Sequence, residues 1–406
     1  MLSRKQTAAV FALEGVNSFA TTLYFYYAYF FTERVFGFTK FQNLLLAAAM
    51  GLVYAFSAAV GGRFAQRRGY FTALKSGYAI LALAIGCAVF ASTLLLQLAL
   101  MLIAYSGAAF TWPALEALAC EGQSRRGVQR NLGIYNLVWG GLGAVANFSG
   151  GAIVEAGTFN ALFAISAILS AIQFLSVLAL ERAQRSANSS VNASTTNEAS
   201  DAVQELEHHR SSVPAQTFLR MAWLANPFAY LAINTVVAVI PTLAHRLQLS
   251  MTQAGIFCSV WLFVRTGSFL LMWLWPGWHY RFRWLLAAYV MLAVSFVTML
   301  VSGNLWVVIA AQVAFGLALG LIYCSSLYYS MDVGTDSKGE HGGFHEAMIG
   351  AGLFAGPAIG AAGVYFFPSA IHASTWTPAG LLVLGFGGLM WLRFRRRRKI
   401  TITNHD

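Results

Sequence analysis

Charge is what this sequence has least of. Of its 406 residues only 10% are Asp, Glu, Lys or Arg, while 58% are hydrophobic; a soluble domain carries roughly 25% charged residues. A chain so poor in charge cannot clothe a water-facing surface, which excludes an ordinary soluble fold. Acid is scarcer than base, 15 Asp and Glu against 26 Lys and Arg. That excess does not imply nucleic acid, because the basic residues fall in short clusters between apolar runs rather than along one solvated face. The four cysteines, Cys87, Cys120, Cys258 and Cys324, sit in or at the ends of apolar segments without paired spacing, which argues against a disulfide framework or a zinc site. His341 and His345 are four apart, but Gly342 and Gly343 interrupt the helix that would align them as ligands, so no metal is expected. There is no Walker loop, H-E-x-x-H or nucleophile elbow, so neither catalytic residues nor a cofactor are expected. A cleavable signal peptide is not expected either, since the first apolar run is too long and carries Glu14 and Asn17.

What is present is apolar length. Stretches of roughly 20 apolar residues cross a bilayer as helices, and twelve lie near residues 7–31, 41–63, 71–93, 97–119, 132–155, 159–180, 218–243, 252–276, 284–302, 305–330, 344–367 and 377–394. The 37 glycines, 11 tryptophans and 31 phenylalanines suit helices that pack through small residues and anchor at the membrane interface through aromatics. The pattern predicts an all-α membrane protein with twelve transmembrane helices. With the N-terminus inside, 22 of the 26 basic residues fall on the inner side, only Arg34, Lys40 and Arg246 fall outside, and Arg265 lies within a span. Lys and Arg collect on the cytoplasmic side, so both termini are expected there, in the plasma (inner) membrane.

Residues 183–216 are rich in Ser, Asn, Thr and charge and have no apolar period, as in a solvated linker. The sequons at Asn188 and Asn192 would lie inside, away from glycosylation. The expected organisation is a six-helix bundle over 1–182, a cytoplasmic linker over 183–216, a second six-helix bundle over 217–400 and a tail over 401–406. The halves repeat. Phe38-Thr39-Lys40-Phe41-Gln42 parallels Leu249-Ser250-Met251-Thr252-Gln253 at an offset of 211, and Gly133 to Gly140 parallels Gly343 to Gly350 at an offset of 210. Two pseudo-symmetric bundles can rock about a central site, the geometry of alternating access.

At this point the whole chain resembles the major facilitator superfamily. Gly62-Arg63-Phe64-Ala65-Gln66-Arg67-Arg68-Gly69-Tyr70 is similar to that family's cytoplasmic G-x-x-x-D-R-x-G motif, with Gln66 at the acidic position. The resemblance implies a gating role for Gly62, Gln66, Arg67, Arg68 and Gly69, though without the carboxylate of the family's charged latch; the alternative is that the arginines are only positive-inside anchors. Gly352-Leu353-Phe354-Ala355-Gly356-Pro357-Ala358-Ile359-Gly360 is similar to the glycine-proline pattern of the fifth span of family exporters. It stands here in the eleventh span, where close helix packing is the reading and antiport is not inferred.

Charges within the hydrocarbon core are costly and mark functional positions. Arg265, midway along the eighth span with Trp261 and Ser268 on its face, is either an anchor for an anionic group or one half of a structural ion pair with Glu14 or Glu346. Glu14 heads a polar stripe with Asn17, Thr21 and Tyr24. The resemblance implies that the first, fourth, seventh and tenth helices line the cavity, and polar stripes occur there: Tyr105, Trp112 and Glu116 on the fourth, Asn226, Tyr230 and Asn234 on the seventh, Gln312 and Tyr323 on the tenth. Together with Trp261 and Arg265 these form the candidate substrate site. Glu14 is the candidate proton-coupling carboxylate. Glu116 is expected to form a gating salt bridge with Arg67, Arg68 or Arg130, and His345 with Glu346 a cytoplasmic gate or helix-start network. The leading expectation is a secondary transporter of a small polar or anionic solute, coupled to protons, monomeric, and in contact with lipid and a small-molecule substrate. The alternatives are a transporter-like sensor or assembly protein and an integral-membrane enzyme.

Overall fold

The computed structural model describes residues 3–121, 123, 125–191, 214–333 and 338–395. Among these the chain forms twelve α-helices: α1 (Arg4–Phe36), α2 (Lys40–Arg68), α3 (Tyr70–Ala88), α4 (Leu94–Cys120), α5 (Arg125–Ala156), α6 (Phe159–Val191), α7 (Ala215–Arg246), α8 (Met251–Leu274), α9 (Phe282–Val301), α10 (Leu305–Val333), α11 (Lys338–Phe366) and α12 (Ala373–Phe394). The break expected between the third and fourth spans falls at residues 89–93, slightly earlier than read, and Gln97 ties it off by donating its amide to the carbonyls of Ala88 at 2.7 Å and Ala91 at 3.0 Å. Several helices run a turn or two past their apolar spans, and one of them reaches into the expected linker. α6 continues to Val191, into the stretch expected as linker, because an Arg- and Gln-bearing helix keeps its backbone bonded beyond the apolar core. Most of that stretch, residues 192–213, lies outside the described residues.

Eleven of the described helices are long and apolar enough to cross a membrane, and α1 is the exception. Its Glu14, Asn17, Ser18 and Thr21 lower its hydropathy, but all four are buried by neighbouring helices rather than presented to lipid, which is where intramembrane polar groups belong.

The repeat has a local cause. Thr39 and Ser250 open α2 and α8 with matching capping boxes, closed by Gln42 and Gln253, so each side chain satisfies a helix-end N–H that would otherwise stay unpaired. At the other end of α2, Gly69 makes the turn into α3 with φ +92° and ψ 149°. That is a region only glycine occupies at low cost, and a Cβ there would meet nothing within 4 Å. The penalty of Gly69→Ala is therefore conformational alone, about 1–3 kcal/mol. Denaturant unfolding should show that loss, and none for Gly380→Ala, whose site is equally open but helical.

Helices α1–α6 pack on one another, as do α7–α12, and the bundles meet along two seams, α2 against α11 and α5 against α8. Both seams close backbone to backbone. A Cβ on Gly51 would fall into the Leu353–Phe354 peptide, and one on Gly151 into the Met251 carbonyl. The paired glycines of the repeat occupy corresponding places: Gly140 of α5 abuts Thr266 of α8, and Gly350 of α11 abuts Ala55 of α2. At the end of the α5–α8 seam Glu155 accepts the Thr252 N–H at 3.1 Å and also its hydroxyl, a carboxylate set against a helix N-terminus.

Candidate functional site

The two bundles enclose a cavity of about 140 Å³, comparable to one that takes up a benzene-sized ligand. Its wall draws on both halves. α1 supplies Glu14, Ser18, Thr21, Thr22 and Tyr26; α4 supplies Tyr105 and Trp112; α7 supplies Tyr230 and Asn234; α10 supplies Tyr323. The seam helices contribute as well, with Tyr54 from α2, Tyr135 and Trp139 from α5, Arg265 from α8 and Glu346 from α11.

Arg265 is 6% exposed. Among the described residues it has no carboxylate within 4.0 Å, so of the two alternatives the ion pair with Glu14 or Glu346 is not formed. Aromatic faces hold it instead: its guanidinium carbon lies 4.6 Å from the ring centroid of Trp139, 5.1 Å from Trp261 and 5.9 Å from Phe269. Cation–π contact steadies a guanidinium without neutralising it, and its Nε has no hydrogen-bond partner.

The acidic side of the cavity is also uncompensated. Glu14 is fully buried, and although Tyr135 and Trp112 approach its carboxyl, neither closes a well-formed hydrogen bond to its two oxygens. Glu346 accepts a short hydrogen bond from the Tyr54 hydroxyl. Glu116 lies just behind the wall, 5% exposed, and the charge it senses is Glu346. The expected gating bridge is not formed: Arg67 and Arg68 are exposed at the end of α2, and Arg130 reaches Asn131 at 3.4 Å.

Several candidates face elsewhere. Asn17 accepts from the Thr111 hydroxyl at 3.4 Å within the first bundle. Tyr24 packs edge-on against Phe163 at 4.8 Å. Asn226 and Gln312 are buried off the cavity with their amide atoms unpartnered. Trp261 stands behind Arg265, stacked on Tyr26 at 6.4 Å. His345 is buried, with Nδ1 3.5 Å from the Ser326 hydroxyl. Gly62, Gln66, Arg67, Arg68 and Gly69 belong to the α2–α3 end and do not line the cavity. The side chain of His341 lies outside the described residues, among which no cluster able to hold a metal occurs. Sequence reasoning missed Tyr26, Tyr54, Tyr135 and Trp139. A signal existed for two of them: Tyr54 is three residues past Gly51 and Trp139 adjoins Gly140, and a glycine that admits a neighbouring backbone turns the aromatics beside it toward the interface.

A second cavity, of about 490 Å³, opens beside the first, walled by Gly133 and Asn136 of α5, Met272 and Trp273 of α8, Trp278 and His279 of the following turn, and Tyr328 of α10. Burial lowers the His279 imidazole to about 4, keeping it neutral where it stacks on Tyr328 at 3.9 Å. Trp139, Phe269 and Tyr323, mutually 5.5 Å apart, divide the two cavities. The Trp139 N–H is held by Asn136 Oδ1 at 3.1 Å from the second-cavity side.

The comparisons follow this geometry. A family model described as Major Facilitator Superfamily matches residues 10–338. No curated protein sequence matches the chain significantly. Among solved structures, a mutant of the nucleoside transporter NupG superposes with a TM-score of 0.67 at 12% identity, covering 95% of this chain and 99% of that one. The human organic anion transporter MFSD10 (TETRAN) gives 0.67 at 14%, covering 96% and 100%. A bacterial homolog to the human lysosomal transporter Spinster, inward-facing and occupied, gives 0.65 at 14%, covering 95% and 96%. At such identities these likenesses speak for the fold.

Proposed function

Because the chain belongs to the major facilitator superfamily, and is thus an integral membrane transporter rather than an enzyme, we propose that it carries a small polar or anionic solute by alternating access, driven by protons. The observation that carries this reading is Arg265, a guanidinium at the wall of a small cavity with no carboxylate paired to it among the described residues. A planar fork of donors in such a place suits a carboxylate or phosphate on the solute. The cavity size favours a small one.

Glu14 is the coupling group in this proposal. A carboxyl that is dry while the cavity is enclosed and wetted when it opens changes its proton occupancy with conformation. The proposal puts both termini in the cytoplasm and the protein in the plasma (inner) membrane, an orientation supported by the basic clusters of the sequence. One copy of the chain lines the cavity from both bundles, which supports a monomer in contact with membrane lipid.

The test is reconstitution. In liposomes with an inward proton gradient, addition of a solute selected by thermal shift should alkalinise the outer medium as protons enter with it. Glu14→Gln should lower gradient-driven uptake at least roughly tenfold, the usual scale for losing an acid–base group, while solute-for-solute exchange persists. Unchanged gradient-driven uptake by Glu14→Gln would remove it from coupling, and the absence of any solute flux would overturn the proposal.

A further inference from the structure

The cavity has two poles, and among the described residues no ion pair joins them. At one stands Arg265, steadied by Trp139 and Trp261 and without a carboxylate partner. At the other stands Glu346, which accepts from the Tyr54 hydroxyl; the Tyr54 ring in turn packs 5.5 Å from Tyr105 and 5.9 Å from Trp112, centroid to centroid. Tyr230 lines the cavity together with both Arg265 and Glu346. All these residues line the same cavity.

A single-charge ligand satisfies only half of this arrangement. An anion answers Arg265 and places its remaining body among Tyr54, Tyr105 and Trp112 beside a carboxylate, which repels it. A cation answers Glu346 and the aromatic faces but leaves the guanidinium alone in a low-dielectric enclosure, where an unpaired charge is expensive. A cluster of Tyr and Trp faces around a carboxylate is a receptor for an organic ammonium group, as a guanidinium fork is for a carboxylate.

Resting on the transport reading above, we propose that the solute is a small zwitterion, its carboxylate on Arg265 and its ammonium group on Glu346 within the Tyr54–Tyr105–Trp112 cage. Glu14 is left free for the coupling proton. The small volume of the cavity selects against large solutes.

The test uses the purified full chain and three matched sets of probes: 4-aminobutyrate with butyrate and n-butylamine, alanine with propionate and ethylamine, and glycine betaine with acetate and tetramethylammonium. Thermal shift titrations should show at least one zwitterion binding roughly tenfold or more tightly than both of its single-charge analogues, the ratio expected for one charged contact. Glu346→Gln should abolish its advantage over the matched anion, and Arg265→Gln its advantage over the matched cation. Tyr54→Phe, which keeps the carboxylate but removes the hydroxyl that aims it, should weaken the zwitterion without strengthening either analogue, and it serves where Glu346→Gln folds poorly. An anion or cation that binds as well as its zwitterion, or a panel in which no zwitterion binds, overturns the assignment. Flux in liposomes separates the two proposals. Uptake of a matched anion with no zwitterion preference leaves transport standing and removes the two-pole site, whereas zwitterion binding without any flux does the reverse.

Discussion

Replacing Arg265 by Gln should leave expression and melting temperature near those of the parent chain while solute uptake falls by roughly a hundredfold. The reasoning starts from what Arg265 lacks. Removing one partner of a buried ion pair costs about 3–5 kcal/mol because the other charge is stranded, but no carboxylate here lies within 4.0 Å of the guanidinium, so none is stranded by its loss. What disappears is the cation–π stacking on Trp139 and Trp261, worth about 0.5–2 kcal/mol, partly offset by relief of an unpaired charge. Binding is another matter: a two-pronged charged contact contributes about 3 kcal/mol, near a hundredfold in affinity. Arg265→Lys keeps the charge and loses the fork, so it should recover only part of the uptake. The deciding measurement sets melting temperature beside uptake for both variants. A collapse of folding in Arg265→Gln would restore a structural role, and full uptake would remove Arg265 from the site.

The second large effect belongs to the seams. Valine at Gly151 or Gly51 must displace the backbone of α8 or α11, since even a Cβ at these positions overlaps Met251 or Leu353. Overpacking of this kind costs about 1–3 kcal/mol, and the whole cost falls on the conformation in which the seam is closed. Each 1.4 kcal/mol moves a conformational equilibrium tenfold, so the closed population should drop by about ten to a hundredfold. A cysteine at Leu44, which is fully buried and beside Gly360, should become reactive to an impermeant maleimide, and uptake should fall as cycling stalls. Gly267→Val on α8, where a Cβ meets open space, should change neither. An inert Leu44 cysteine in Gly151→Val and Gly51→Val would mean that these contacts do not set the equilibrium.

The fold was legible because its causes are local and repeated. Apolar length marks each span, and Thr39-x-x-Gln42 and Ser250-x-x-Gln253 mark the start of the repeat-related helices. α1 was read as a span from its apolar length over 7–31, although its polar stripe lowers its hydropathy below that of the other eleven helices. The site was legible in part. Glu14, Thr21, Tyr105, Trp112, Tyr230, Asn234, Arg265, Tyr323 and Glu346 come together at one cavity, yet Asn17 and Tyr24, on the same α1 stripe, turn into their own bundle. A helical stripe is wider than a cavity wall, and spacing cannot say which of its edges meets a neighbouring helix. Tyr54, Tyr135 and Trp139 escaped because they lie on seam helices, whose role depends on how closely two backbones approach, a tertiary quantity. The pairing of Arg265 was unreadable for the same reason: two carboxylates were available in the sequence, and distance alone decides between partner and neighbour.

The wall of three rings between the two cavities has a kinetic consequence. Between the cavities stand the rings of Trp139, Phe269 and Tyr323, while at the other seam α2 and α11 are in contact from Leu44 to Ala55, about three helical turns. Side chains re-orient on picosecond-to-nanosecond scales once they have room, whereas rigid-body separation of packed helices takes microseconds to milliseconds. On the transport reading proposed above, the three-ring face would open by side-chain motion and the glycine-packed face only by helix separation, so the two openings should differ in pace, with Trp139 held to Asn136 at 3.1 Å on the faster side.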